Sequence, residues 1–325
     1  MASKKSRAPA KIQKAQRSLM FLLPDGLSYL DSAQALSMVN RKLFKQGMVY
    51  GIESVDFFYV PTGTLDTVRV TAYTAGDTWS VHNAHVKGHA LHKEMQALVL
   101  ADNPSIAGTW SDFKVYLDKA HAETAGIANL IPITQDLAPY GQGEWAYTTY
   151  VMPQHDVDPA TGEPLPADET SAHLIGPNSG TIGAFTSVGL VKAYQESRAT
   201  VQPEDPSVPA GMSTSFFNLL TDSGSQEPEL ADVIESENDR PPYDQNQYPG
   251  GAFNAVTPVW TEFSVANEGS PNGLLTSFVA QCGLISFSVE GVNAAGEGVT
   301  VPDVFCRVNF MAGSYKGLAA IPMGQ

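Results

Sequence analysis

The sequence predicts an all-β protein, an antiparallel two-sheet sandwich or jelly roll with a basic N-terminal arm and a few short helices. Roughly eight to ten segments have the composition of strands, with neither alternating strand and helix patterns nor an internal repeat. The 28 glycines and 22 prolines supply many turns, and charged residues are only 16% of the 325. Hydrophobic residues, 43% of the chain, suffice for a large core.

The first predicted region, residues 1–20, is a disordered basic arm. It has no acidic residue and six cations, which are Lys4, Lys5, Arg7, Lys11, Lys14 and Arg17. Since the whole chain carries −15, residues 21–325 carry −21. The arm lacks apolar periodicity and contains Pro9, which indicates disorder when it is free. A basic arm on an acidic body is typical of a segment that neutralises nucleic-acid phosphates or directs nuclear import, and a solubilising tail is the alternative.

The second predicted region, residues 21–47, is a linker that contains one helix from Ser28 to Gln46. Ser28 is placed to cap the helix start. Arg41, Lys42 and Lys45 lie near its end, where cations complement the helix dipole. These three cations fit an ordinary amphipathic helix whose cationic end complements its dipole, and they are equally candidates for contact with nucleic acid or with a neighbouring subunit.

Residues 48–325 are predicted to form a single β domain. Its first two strands, Met48–Val60 and Thr64–Thr74, are expected to form a hairpin through the turn at Pro61–Thr64. The other predicted strands are Phe113–Leu117, Glu144–Met152, Ser187–Val201, Val259–Ala266, Gly273–Glu290 (split at Gly283) and Val301–Tyr315. A polar, acidic stretch at about 203–252 cannot bury much surface and is expected to be a surface insertion.

Four histidines, His82, His85, His89 and His92, recur at helical spacing and predict one stripe on a helix. His85 and His89 have the spacing of a zinc-binding pair, but Val86 stands where the catalytic motif needs a glutamate. A closed zinc site also needs ligands from a second element. The favoured interpretation is therefore a stripe that packs on apolar residues or on a neighbouring subunit, with no metal ligand among these residues.

Several short motifs resemble, in the same order, the capsid proteins of small circular single-stranded DNA viruses that encode a replication initiator, especially marine and metagenomic members. The motifs are Tyr29-Leu30-Asp31, Val39-Asn40-Arg41-Lys42, Thr78-Trp79, Asn83-Ala84, Lys87-Gly88, Asp112-Phe113-Lys114-Val115, Gly143-Glu144-Trp145 and Gly313 with Tyr315-Lys316-Gly317. The resemblance covers most of residues 28–155 and 300–325.

The resemblance implies a viral coat protein with a jelly-roll shell domain. Many copies would self-assemble into an icosahedral shell that encloses a single-stranded DNA genome, with the basic arm on the nucleic acid. Its partners would be further copies of itself, the genome and a host receptor of unknown identity. Its location would be the virion, and the host nucleus or cytoplasm during assembly. No catalytic residue and no cofactor are expected, although structural calcium between subunits stays open.

Two other functions are kept as alternatives. One is a cupin-like jelly-roll metalloprotein that uses the His82–His92 stripe, although the His-x-His pattern of strand ligands does not occur. The other is a glycan-binding β-sandwich. No run of 18 or more apolar residues predicts a membrane span. Cys282 and Cys306 fit reduced thiols, and the sequence leaves a disulfide between them open.

Overall fold

The computed structural model describes residues 14–59, 63–107, 112–123, 129–152, 168–181, 184–198 and 259–324. In chain order its strands are β1 (Ser18–Leu23), β2 (Gly26–Asp31), β3 (Met48–Phe58), β4 (Thr67–Ala75), β5 (Thr149–Met152), β6 (Asp168–His173), β7 (Ser179–Thr181), β8 (Ala184–Gly189), β9 (Val259–Asn267), β10 (Asn272–Leu275), β11 (Phe278–Ala280), β12 (Leu284–Val292), β13 (Gly298–Val299), β14 (Val304–Phe310), β15 (Ala312–Tyr315) and β16 (Ala320–Pro322). The α-helices are α1 (Ser32–Asn40), α2 (Trp79–Asp102), α3 (Lys119–Glu123) and α4 (Leu190–Arg198). Short 3-10 turns cover Pro104–Ile106 and Gln281–Gly283.

The strand order confirms the predicted all-β sandwich and is that of a jelly roll. One antiparallel sheet has the order β1-β14-β3-β10, with β11 and β16 also on β3. In the second, β12 pairs with β2 and β13 at one edge and with β4 at the other, and β9 follows β4. If β10 and β11 count as one strand, the eight main strands run 1-8-3-6 and 2-7-4-5, and successive strands mostly alternate between the sheets.

The main core lies between these two sheets. Its strands alternate buried and exposed side chains, as in β1, where Leu19, Phe21 and Leu23 point inward. Phe287 of β12 and Ile52 of β3 meet the same core and are fully buried. Cys306 belongs to this core, whereas Cys282 lies in a second core, and both thiols are free. The sulfur atoms therefore pack as small apolar groups.

Residues 76–258 form one long insertion between β4 and β9, which are neighbours in the second sheet. Its described part contains α2, α3, α4 and a small sheet of order β5-β6-β8-β7. It has its own apolar core, built from residues such as Phe113 and Leu174, and this core also takes in Tyr29 of β2 and Leu284 of β12. The insertion thus packs against the body where those two strands pair.

The predicted boundaries of the arm, linker and shell domain differ from the structure. β1 begins at Ser18, inside the predicted arm, and pairs in register with β14. β2 occupies the start of the predicted helix, because Gly26–Asp31 pairs with β12. The helix is consequently limited to α1, and Asp31 caps it in place of Ser28 by accepting a hydrogen bond from the Gln34 amide. The sandwich therefore starts well before residue 48.

Two further predictions are wrong, and two are right only in part. β3 and β4 do not form a hairpin, because each pairs within a different sheet. Residues 113–117 form no regular strand, although Tyr116 makes an isolated parallel bridge with His173 and exchanges backbone hydrogen bonds with Ala172 and Leu174. Of the strand predicted at 144–152, residues 149–152 form β5 and residues 144–148 have no regular structure. Of the long strand predicted at 187–201, residues 187–189 belong to β8 and residues 190–198 form α4, while 199–201 lie outside the described residues. The predicted acidic insertion at 203–252 lies outside the described residues.

Candidate nucleic-acid interface

The described candidate cations gather where the N-terminal segment meets the end of α1. Lys14, Arg17, Arg41, Lys42 and Lys45 are described, whereas Lys4, Lys5, Arg7 and Lys11 lie outside the described residues. Arg41 ends α1 with a left-handed φ of 52°, which turns the chain back toward β3. This turn places the three cations of 41–45 beside the chain that enters β1.

Hydrogen bonds hold the N-terminal segment against this turn. The Gln16 amide donates to Asn40 Oδ1 over 2.7 Å, and Asn40 Nδ2 donates back to the Gln16 carbonyl over 3.1 Å. Lys42 Nζ donates to the Lys14 carbonyl over 2.7 Å. Arg17 is partly engaged elsewhere, because its guanidinium donates to the Phe310 carbonyl and lies 4.0 Å from Glu53. We call Lys14, Arg41, Lys42 and Lys45, together with Lys316 described next, the basic corner.

Lys316 joins the basic corner although the sequence did not suggest it. Its Nζ donates to the carbonyl of Leu43, and the ammonium lies 5.5 Å from the centre of the Phe44 ring. Partial burial lowers the pKa of Lys316, and the neighbouring Lys45 lowers it further. Lys316 and Leu43 are 273 positions apart, so no local pattern indicates their contact.

A groove of about 540 Å³ opens beside the basic corner. One wall is formed by α1 and the turn that follows it, and the other by residues 141–145. The lining comprises Gln34, Ser37, Met38, Arg41, Lys42, Leu43, Gly141, Gln142, Gly143, Glu144 and Trp145. It therefore combines two cations, one carboxylate, amide groups and apolar surface.

A buried carboxylate fixes Trp145 in this groove. Asp31 Oδ2 accepts hydrogen bonds from Trp145 Nε1 and Gln46 Nε2, both at 2.9 Å, and from the Tyr147 hydroxyl at 3.3 Å. Burial raises the pKa of Asp31, and the hydrogen bonds oppose that rise. Lys114 Nζ lies 4.7 Å from the centre of the Trp145 ring, and burial lowers the pKa of this lysine. Asp31 belongs to the body and Trp145 to the insertion, so the groove spans both.

The predicted histidine stripe lies on α2, as the spacing indicates. The rings of His85, His89 and His92 surround Phe113, with centroid distances of 5.2, 5.5 and 5.5 Å. Within the described residues no group of three or more His, Cys, Asp or Glu is placed to hold a metal ion. His82 instead contacts Asp77 Oδ1 over 2.7 Å and accepts a hydrogen bond from the Gly324 amide.

Comparisons with known proteins found no match to this chain. No protein-family model, no curated protein and no solved structure matches the chain. None of the helices in the part of the chain that the structure describes is long and apolar enough to cross a membrane.

Proposed function

We propose that this protein is a viral coat protein that self-assembles into an icosahedral shell around a single-stranded DNA genome. The observation that carries the proposal is the basic corner: five cations gather where a basic N-terminal segment joins a body that carries −21. A local cationic surface on an acidic body is an electrostatic footprint for phosphates, and the acidity of the rest limits binding to that place.

The jelly-roll strand order supports the shell. This architecture is common in viral coats, although it also serves lectins and cupins, so the fold alone does not choose among them. Two of the motifs that resemble capsid proteins contribute to the groove, with Arg41 and Lys42 at the end of α1 and Trp145 among residues 141–145.

Exposed apolar side chains on α2 support contacts between copies. Beyond His92 this helix buries no residue, and its end displays Leu98, Val99 and Leu100 with exposed fractions of 71%, 51% and 40%. Clusters of exposed aliphatic residues commonly mark protein interfaces. We therefore place the end of α2 between neighbouring subunits of the shell.

Electron microscopy of the purified protein, with absorbance at 260 and 280 nm on the same fraction, tests this function. We expect uniform closed particles with excess absorbance at 260 nm. Replacement of Lys4, Lys5, Arg7 and Lys11 by Ala should lower the nucleic acid per particle and leave the fold unchanged, because phosphate contacts supply much of such binding.

The control replaces Lys93 and Lys119, two lysines of the insertion, by Ala and should keep the nucleic-acid content. Protein that stays a monomer or dimer at every salt and calcium concentration would contradict the shell. Particles whose nucleic-acid content is the same in the arm variant and the wild type would remove the arm from the mechanism.

A further inference from the structure

We propose that the groove beside the basic corner binds one nucleotide of a single-stranded nucleic acid, with its base against Trp145 and its phosphate on Arg41 and Lys42. The inference rests on the proposed function, because it deepens the nucleic-acid contact of that same surface. It adds a defined subsite for a base to the purely electrostatic binding that a basic arm provides.

The lining of the groove matches the chemistry of an unstacked base. Aromatic rings offer sequence-tolerant stacking partners in proteins that bind single strands. Trp145 lines the groove, and Met38 and Leu43 add apolar surface for a base. Gln34 and Gln142 place amide groups in the same groove, where they can meet the polar edge of a base.

The size of the groove favours a single nucleotide. Its volume of about 540 Å³ lies within the range of pockets that hold small molecules. A duplex keeps its bases stacked inside and cannot insert one without unpairing it, which costs a few kcal/mol. A single strand offers its bases without that cost, so the groove selects unpaired nucleic acid.

The charges of the groove orient the nucleotide. Arg41 and Lys42 lie on the α1 wall, and Glu144 lies with Trp145 on the opposite wall. A phosphate is therefore attracted to the α1 wall, where the guanidinium of Arg41 can donate two hydrogen bonds. Repulsion by Glu144 leaves the other wall to the base.

The position of the groove couples it to the arm. Lys42 donates to the Lys14 carbonyl, so the N-terminal segment reaches the body at the groove edge. One strand of nucleic acid can consequently neutralise the arm and insert a base in the groove at once.

The glycines of the groove wall permit a specific test. Gly143 lines the groove, a Cβ atom added there meets nothing within 4 Å, and its φ is not in the left-handed region, so Gly143→Leu should add bulk at the groove lining without strain. Gly298 in β13 has the same space and backbone properties and lies outside this groove, which makes Gly298→Leu the matched control.

The experiment measures binding of the full-length protein to oligodeoxythymidine and to an abasic oligomer of equal length. Wild type and Gly298→Leu should bind the base-containing oligomer about tenfold more tightly. Gly143→Leu should lose this preference and keep its affinity for the abasic oligomer. Parallel runs with oligouridine tell whether the bound nucleotide is supplied by RNA or by DNA, and ultraviolet cross-linking should join the base to the peptide that contains Trp145.

The two proposals fail in different ways. A preference for bases that is equal in Gly143→Leu and wild type would overturn the groove and leave the coat function intact. Wild-type protein that forms no particle and binds neither oligomer would overturn the coat function itself.

Discussion

The body and the insertion of this protein are stabilised by different kinds of contact. In the body, long antiparallel strands pair in register, as β4 does with β9 along its full length, around an apolar core. In the insertion, the strands are short, and the core contains histidine rings around Phe113. All seven histidines of the chain lie between residues 76 and 258. The part of the pH response that comes from histidine should therefore lie in the insertion.

Truncation of one phenylalanine in each core gives the largest expected effect. Phe287 of the body and Phe113 of the insertion are both at most 2% exposed, so replacement by Ala should cost about 3–5 kcal/mol of unfolding free energy in each case. We expect Phe287→Ala to destabilise both regions, because the insertion packs on β12. In Phe113→Ala the insertion should unfold at a lower denaturant concentration than the body. Hydrogen exchange of α2 and β12 peptides during a denaturant titration would distinguish the two unfolding transitions.

The control for this pair is Phe263→Ala on β9. Phe263 is 55% exposed and contacts Arg69, so its truncation should cost less than about 1 kcal/mol. If Phe113→Ala destabilised α2 and β12 in one coincident transition, the body and insertion would be a single cooperative unit.

Acidification gives the next largest effect. Burial lowers the pKa of His85 to about 3, and neither ring nitrogen has a hydrogen-bond partner. In the unfolded chain His85 is protonated below about pH 6.5, whereas in the folded protein it stays neutral down to about pH 3. The contribution of neutral His85 to the unfolding free energy is therefore fully present above about pH 6.5 and is lost as the pH falls toward 3. When the pH is lowered from 7 to 4, wild type should lose about 3 kcal/mol more unfolding free energy than His85→Phe does.

Denaturant titrations at the two pH values measure this difference. Burial lowers the pKa of His121 to about 4, and this histidine is still present in His85→Phe. The variant should therefore keep part of the acid sensitivity of wild type. His82→Gln, at a ring that contacts the exposed Asp77, is the control and should keep the acid sensitivity of wild type. An equal loss of stability in His85→Phe and wild type would rule out His85 as its source.

The smallest effect on stability concerns the end of α2. Because Leu98 is 71% exposed, Leu98→Gln should change the unfolding free energy by less than about 0.5 kcal/mol. The same variant should form fewer particles, since its side chain would lie between copies. Light scattering and electron microscopy measure assembly, and Lys93→Gln on the same helix is the control. Normal assembly of Leu98→Gln would exclude this contact.

The body strands from β3 onward are predictable from sequence because their side chains alternate, whereas β1 and β2 fall in the predicted arm and helix. Val68, Val70 and Ala72 of β4 are all buried, as their alternation indicates. The strand predicted at 187–201 fails for a definite reason. Leu190 and Val191 are adjacent and both buried, which suits the start of α4 packed on α2 but not a strand with one exposed face.

The candidate site was only partly predictable. Arg41 and Lys42 are evident as cations near the end of a predicted helix, and Trp145 is evident as part of a motif. Their meeting across one groove depends on Asp31, which receives the Trp145 indole from 114 positions away. Long-range contacts of this kind leave no periodicity in the sequence, so the groove and Lys316 required the structure.

The place of the insertion has a consequence for folding kinetics. Ala75 and Val259 are paired neighbours, yet they are 184 positions apart along the chain (259 minus 75). Strand β1 likewise cannot pair until β14, near the end of the chain, has been synthesised. Contacts between such distant segments form late, because chain entropy must be lost before they can form. Such contacts therefore slow folding. A ribosome therefore releases most of the polypeptide before either sheet can be completed, and during that interval the exposed edge of β4 is a site for aggregation that a chaperone would need to cover.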